Sequence, residues 1–311
     1  MNSLTVTQNQ ALTVSGFDSM IGAFCSSQDV KQGSQVTYGR GLKQFFLWLQ
    51  SKGILHPDRE TILEYKADLG ARGFSATTIS GYLTTVRKFF DWTASKGSYV
   101  NIAQGIKGAK KAKGFRKDSL TVDQVKELLL SMDTGTLQGK RDYAMLNLMV
   151  RTGLRSIEII RADIADIRQD SGEAVLWIQG KGRDSKDEFV LLTGETLKPI
   201  QNYLTAKGTA GDNEPLFTSQ SDRNHNDRLT TRTIRRIVKA KLQGIGLVSG
   251  RLTCHSLRHS AITMALQGGA SIQEAQALGR HANVNTTLIY AHNINRVLHA
   301  PERKIDELLR S

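Results

Sequence analysis

Residues 254–259 read CHSLRH, two histidines four apart with an arginine between them. On a helix, His255 and His259 would stand one turn apart, the spacing of a zinc-binding pair. A zinc hydrolase built on that pair also needs a glutamate after the first histidine, and Ser256 occupies that position. Cys254 is adjacent and His281 lies downstream, but no carboxylate or cysteine cluster supplies an evident third ligand. No metal site is expected. His255 and Arg258 make a second pairing, three apart and on one helical face. A guanidinium offers a fixed fork of donors to phosphate oxygens, and an imidazole moves protons near pH 7. Such a pair suits phosphoryl chemistry, although in isolation a core histidine beside a surface arginine explains it more simply.

Other groups change that balance. In RTGLRSIEI (151–159), Arg155 sits at a turn leading into a helix, and Glu158 is placed to brace it or to cap the helix. In GKGRDSKD (180–187), Lys181 stands between two glycines near the tip of a hairpin, a mobile ammonium. Arg183 and Lys186 in the same hairpin are candidates for positioning a phosphate. In LGRHANVNTTLIYAH (278–292), His281 precedes Tyr290 by nine residues. His259 and His292 read as structural neighbours.

These groups need a scaffold. From 19 to 104 the pattern is helical, with stripes Tyr38, Leu42, Phe45, Phe46, Leu49; then Ile62, Tyr65, Leu69; then Ile79, Leu83, Val86, Phe89, Phe90. The aromatics are expected to form a core and not a base-stacking platform. Residues 1–18 lack periodicity and are expected to be flexible. Between 105 and 118 lies a basic linker carrying Lys107, Lys110, Lys111, Lys113, Arg116 and Lys117, three glycines and no acidic residue before Asp118. Glycine and like-charge repulsion keep such a stretch from packing alone, and its one-sided charge suits a phosphate backbone. A second domain, 119–311, opens with a helix capped by Thr121, followed by an apolar helix over 139–155. AVLWIQGKGRDSKDEFVLL (174–192) is then a β-hairpin, and helices follow to an amphipathic tail over 300–311.

The chain carries 42 Lys and Arg against 29 Asp and Glu, a net charge of +13. That excess suits a polyanionic partner, because cations at phosphates release condensed counterions. No apolar stretch reaches the length of a membrane span, and the N-terminus lacks the pattern of a signal peptide. Two distant cysteines make no disulfide framework, so the cytoplasm is the expected compartment.

Arg155, Lys181, His255, Arg258, His281 and Tyr290, in this order behind a helical domain and a basic linker, resemble the tyrosine recombinase/integrase family. That family includes phage and transposon integrases and chromosome-dimer resolvases. TGLRSIEI, GKG, HSLRHS, LGRHANVNTT and YAH carry the resemblance. One departure is IRADIADI after the first motif, where the family often has a leucine and a Trp-Asp pair. The resemblance implies a mainly α fold with a small β-sheet, its two domains clamping DNA. One is a helical SAM-like core-binding domain and the other a mixed α/β catalytic domain. It implies a site-specific recombinase that needs no cofactor and acts on double-stranded DNA sites as a homotetramer joined through the C-terminal tails. Tyr290 would form a 3′-phosphotyrosyl bond, and Arg155 and Arg258 would hold the non-bridging oxygens. His255 would help remove the phenolic proton, Lys181 would protonate the 5′-oxygen, and His281 would bond the phosphate or position Tyr290. A type IB topoisomerase and an inactive DNA-binding relative are the alternatives.

Overall fold

Aromatic residues recurring at helical spacing build the first of two units, which divide near residue 113. The structure, a computed structural model, describes residues 16–110, 118–180, 182–208, 211–298 and 301–310. The first unit has four helices: α1 (Phe17–Ser27), α2 (Gln32–Lys52), α3 (Arg59–Ala71) and α4 (Ala76–Ser95). The Asp58 carboxylate accepts from Thr61 N at 2.8 Å to start α3, and Ser75 caps α4 in the same way. All three expected stripes point inward, with only Tyr38 partly exposed. Edge-to-face pairs such as Phe46–Phe89 and Phe45–Tyr65 make these rings a core.

The stretch read as a linker begins inside this unit. Ile106 is buried, its carbonyl accepts from Arg87 Nη1 at 3.3 Å, and Lys66 Nζ donates to the carbonyl of Lys107 at 2.9 Å. Ser80 Oγ adds a third donor, to the Ala109 carbonyl at 3.4 Å, so 106–109 is held on α3 and α4 while the Lys107 and Lys110 side chains stay exposed. Lys111, Lys113, Arg116 and Lys117, and residues 1–15, lie outside the described residues.

The second unit opens with α5 (Val122–Leu130), capped by Thr121, and α6 (Leu137–Thr152), which is buried along most of its length. After α7 (Ser156–Arg161), strands β1 (Ile167–Asp170), β2 (Glu173–Ile178) and β3 (Glu188–Leu191) form an antiparallel sheet in that order. Leu176 lies opposite both Ile167 and Val190 in the register. The expected hairpin is β2–β3; β1 is an addition. The α7 helix stops at Arg161 because Asp163 and Asp166 make a tight turn, with Asp163 N donating to Asp166 Oδ2 at 2.7 Å.

The helix α8 (Gly194–Lys207) is also unforeseen, being polar in sequence and holding Pro199. Proline leaves the carbonyl four residues back without its helical donor. Asn147 of α6 supplies one, its Nδ2 donating to the carbonyl of Glu195 at 2.7 Å. The remaining helices are α9 (Thr231–Gly244), α10 (Cys254–Gln267), α11 (Ile272–Gly279), α12 (Val284–Leu298) and α13 (Pro301–Arg310). No helix among the described residues is long and apolar enough to cross a membrane.

Candidate active site

Three corners of the second unit supply the functional groups. The first joins α6 to α7. Gly153 ends α6 at φ +62°, a conformation that L side chains seldom adopt, and a Cβ there would lie 3.6 Å from the Ala261 Cβ. The sharp turn places Arg155 at the N-terminus of α7. Glu158, fully buried, accepts from Arg155 N at 2.7 Å and from Arg155 Nη1 at 2.7 Å. Both roles expected of Glu158 are therefore met by one carboxylate.

The second corner is the start of α10. Ser256 Oγ accepts from Thr253 N at 3.0 Å, so the residue standing where a zinc enzyme has glutamate serves as a helix cap. Arg258 is only 5% exposed and donates through Nη1 to the Gly153 carbonyl at 2.6 Å. Its Nη2 is buried without a hydrogen-bond partner among the described residues. His255, one turn back, is exposed.

The third corner joins α11 to α12. The His281 imidazole lies so close to Gly279 that an added Cβ would be 2.9 Å from its Cε1. Its Nδ1 is 2.9 Å from Thr287 Oγ1 on α12. Tyr290, two positions on the same helix beyond Leu288, is 4% exposed and packs with Ile262 and Ala275. Its hydroxyl is hydrogen-bonded to Nδ1 of His259, and the His281 ring stacks at 6.1 Å from the phenol. The sequence reading placed the assisting imidazole at His255 and gave His259 a structural place. The fold reverses the contact, because Tyr290 meets α10 one turn further along, on the buried side of the helix.

Electrostatics follow from this burial. Three guanidinium groups, Arg155, Arg258 and Arg280, stand around the buried carboxylate of Glu158. Burial first, then the charges of Arg155 and Arg280, push Arg258 down to about 9. Burial pushes the Tyr290 phenol up to about 12, and Arg258 and Arg155 oppose the rise. Burial also brings His259 and His281 down to about 4, with further lowering from His255 and Arg258 at the first and from Arg258 and Arg155 at the second. Both imidazoles are thus neutral at pH 7. Excess positive charge away from water favours an anion such as a phosphodiester.

Two residues in the hairpin have other partners. Lys186 Nζ meets Asp163 at 2.6 Å and Asp166 at 2.5 Å, and Asp163 also binds Arg228. Desolvation would lower Lys186, yet hydrogen bonds from Asp163 and Asp166 hold its pKa above the ordinary lysine value. Lys186, expected to position a phosphate, in this structure ties the approach to β3 to the turn before β1. Arg183 pairs with Asp187 at 2.8 Å and Glu188 at 3.5 Å, but is half-exposed. Lys181 lies outside the described residues. Two sets of groups escaped the sequence reading: Arg280, and the exposed cations Arg232, Arg235, Arg236 and Lys239 along α9. The α9 set was open to detection, since basic residues there alternate with Ile234, Ile237 and Val238 at helical period.

A model of the phage integrase family matches residues 118–296, and one of its N-terminal SAM-like domain matches 26–97. The chain is 30% identical over 268 residues to tyrosine recombinase XerD of Listeria monocytogenes serotype 4b, covering 82% of this chain and 86% of that one. It is 29% identical over 267 residues to a tyrosine recombinase of Synechococcus elongatus, 81% and 82% of the two chains. In fold it is similar to the XerH site-specific recombinase bound to a palindromic difH substrate, with TM-score 0.72, 21% identity and coverage of 91% and 84%. It is also similar to a lambda integrase (75–356) dimer bound to a COC′ core site, with TM-score 0.67, 16% identity and coverage of 89% and 97%. A family model spanning more than half the sequence, over the same unit that gathers Arg155, Arg258, His281 and Tyr290, makes this chain a tyrosine recombinase of the phage integrase family.

Proposed function

We propose that this recombinase exchanges strands between specific double-stranded DNA sites, with Tyr290 as the nucleophile. The observation that carries the assignment is the Tyr290 hydroxyl held on a neutral imidazole beside buried arginines. A phenol is a poor nucleophile until its proton leaves. The neutral His259, whose Nδ1 faces that hydroxyl, accepts the proton as phenolate oxygen attacks phosphorus. Arg155 and Arg258 take the non-bridging oxygens and stabilise the charge that grows on them. Breakage of the P–O5′ bond leaves a 3′-phosphotyrosyl link, and Lys181 protonates the departing 5′-oxygen. Attack by a 5′-hydroxyl of another duplex reverses these steps, which conserves the bond and requires no external energy source. His281 orients Tyr290 by stacking, and His255 stands exposed one turn before His259.

The exposed cations Lys107 and Lys110, with Lys111, Lys113, Arg116 and Lys117, track the DNA backbone, joined by Arg183 and the basic face of α9. A homotetramer on two sites, assembled through α13, fits a helix whose Ile305, Leu308 and Leu309 are exposed. The reaction takes place in the cytoplasm, at the nucleoid. The test is a nicked duplex carrying a candidate site, incubated with protein in EDTA and run on a denaturing gel. Wild type is expected to give a covalent protein–DNA band and Tyr290→Phe none. Specific binding without that band in the wild type would instead assign the chain as an inactive DNA-binding relative.

A further inference from the structure

Arg280 is held in a conformation that its residue type disfavours. It follows α11 at φ +46° and ψ +51°, in the left-handed region, where an L side chain crowds its own backbone. Only Ser171 and Asn226 share this sign of φ among the non-glycine described residues. A glycine would occupy the corner more easily. Strain of this kind is retained where the side chain contributes something that the surroundings hold in place.

Its contacts show what that is. Arg280 Nη2 donates to Glu158 Oε2 at 3.0 Å and to the Gly153 carbonyl at 3.1 Å, and Nη1 donates to the Leu278 carbonyl at 3.0 Å. The ion pair is almost wholly out of water, with side chains 6% and 0% exposed. The same carboxylate grips Arg155, and the same carbonyl accepts from Arg258. One guanidinium therefore shares an acceptor with each of the two arginines assigned to the phosphate. On its other side the backbone runs directly into His281, which bonds Thr287 on the helix of Tyr290.

We infer that Arg280 is a positioning residue for strand cleavage, tying the corner that carries the nucleophile to the corner that carries the phosphate-binding arginines. It acts through Glu158 and Gly153, and the planar fork is needed because Nη2 bonds both of these while Nη1 holds the Leu278 carbonyl of its own corner. The inference rests on the assignment of Tyr290, Arg155 and Arg258 given above.

The experiment compares wild type with Arg280→Gly, Arg280→Lys, Glu158→Gln and the double variant Arg280→Gly/Glu158→Gln. Each is read by thermal melting, by DNA affinity in a gel shift, and by the single-turnover rate of covalent complex formation on the nicked duplex. Tyr290→Phe serves as the control for the underlying assignment. Arg280→Gly should fold, bind DNA within about threefold of wild type, and cleave about 10- to 100-fold more slowly, as misplaced reacting groups do. Arg280→Lys keeps the charge without the fork and should restore only part of that rate. In the double variant the losses should not add, since both changes break the Arg280–Glu158 link, while Glu158→Gln also weakens the hold on Arg155. A cleavage rate at the wild-type level, additive losses, or a rate loss matched by an equal affinity loss would each overturn the inference. The last outcome would make Arg280 a direct DNA contact. A covalent band from Tyr290→Phe would instead overturn the site assignment itself.

Discussion

At the scale of single residues, burial of ionisable groups is the organising feature of this site. His259 and His281 lie well below the usual imidazole value of 6.5, at about 4, with burial the largest cause. In the unfolded chain both regain the ordinary value, so between about pH 4 and 6.5 the unfolded state binds more protons. Their contribution to stability is complete above pH 6.5 and declines as the pH falls toward 4. Melting temperature should therefore drop between pH 7 and 5, and His259→Phe should flatten that dependence. A wild-type melt equally stable at both values would contradict neutral burial of these rings. Cleavage should hold its rate down through pH 6.5 and fail only near the folded value of His259, because the proton acceptor must be neutral.

At the scale of elements, the corners matter more than the helices. Gly153 lets α6 stop in the left-handed region, so that its own carbonyl can receive Arg258 and Arg280. Alanine at this position has room, with its nearest neighbour at 3.6 Å, but not the backbone freedom. Gly153→Ala should cost about 1 kcal/mol of stability in a denaturant melt. Cleavage should suffer more than stability does, because the turn displaces acceptors of two arginines at once. The single-turnover rate on the nicked duplex checks this; a variant less stable but fully active would show that the carbonyl's position is unimportant. Lys186 illustrates the converse. It is bound to Asp163 and Asp166, so it secures the base of the hairpin that carries Lys181.

At the scale of the whole molecule, the two units each have their own core. Phe24, Phe45, Phe89 and their neighbours fill the first, and Leu146, Leu176, Ile200, Leu257 and theirs the second. Residues 118–311 should therefore fold cooperatively alone, as read by a single melting transition. Without the six cations of residues 107–117 the fragment should bind site DNA more weakly, with a shallower dependence of log affinity on log salt. An unchanged slope would show that the basic stretch does not meet phosphates.

How much of this was legible in sequence differs by scale. Helical stripes, the Thr121 cap and the β2–β3 pair follow from local periodicity and turn chemistry, and were expected from the chain alone. The types and order of Arg155, Arg258, His281 and Tyr290 carried the resemblance to the tyrosine recombinases, which implied the nucleophile, while an arginine beside a histidine suits phosphoryl chemistry by itself. What the sequence could not show was which of these groups meet. His255 and His259 look alike in CHSLRH, and only the packing of α12 against α10 brings His259 to Tyr290 and leaves His255 exposed. Strand β1 and helix α8 depend on long-range partners, Lys186 for the turn before β1 and Asn147 for the carbonyl that Pro199 leaves open. Arg280 is invisible for the same reason, as its contacts with Glu158 and Gly153 lie more than a hundred residues away along the chain. Local pattern determined the elements and the chemistry; tertiary contact decided the pairing, because a hydrogen bond depends on distance in space and not on separation in sequence.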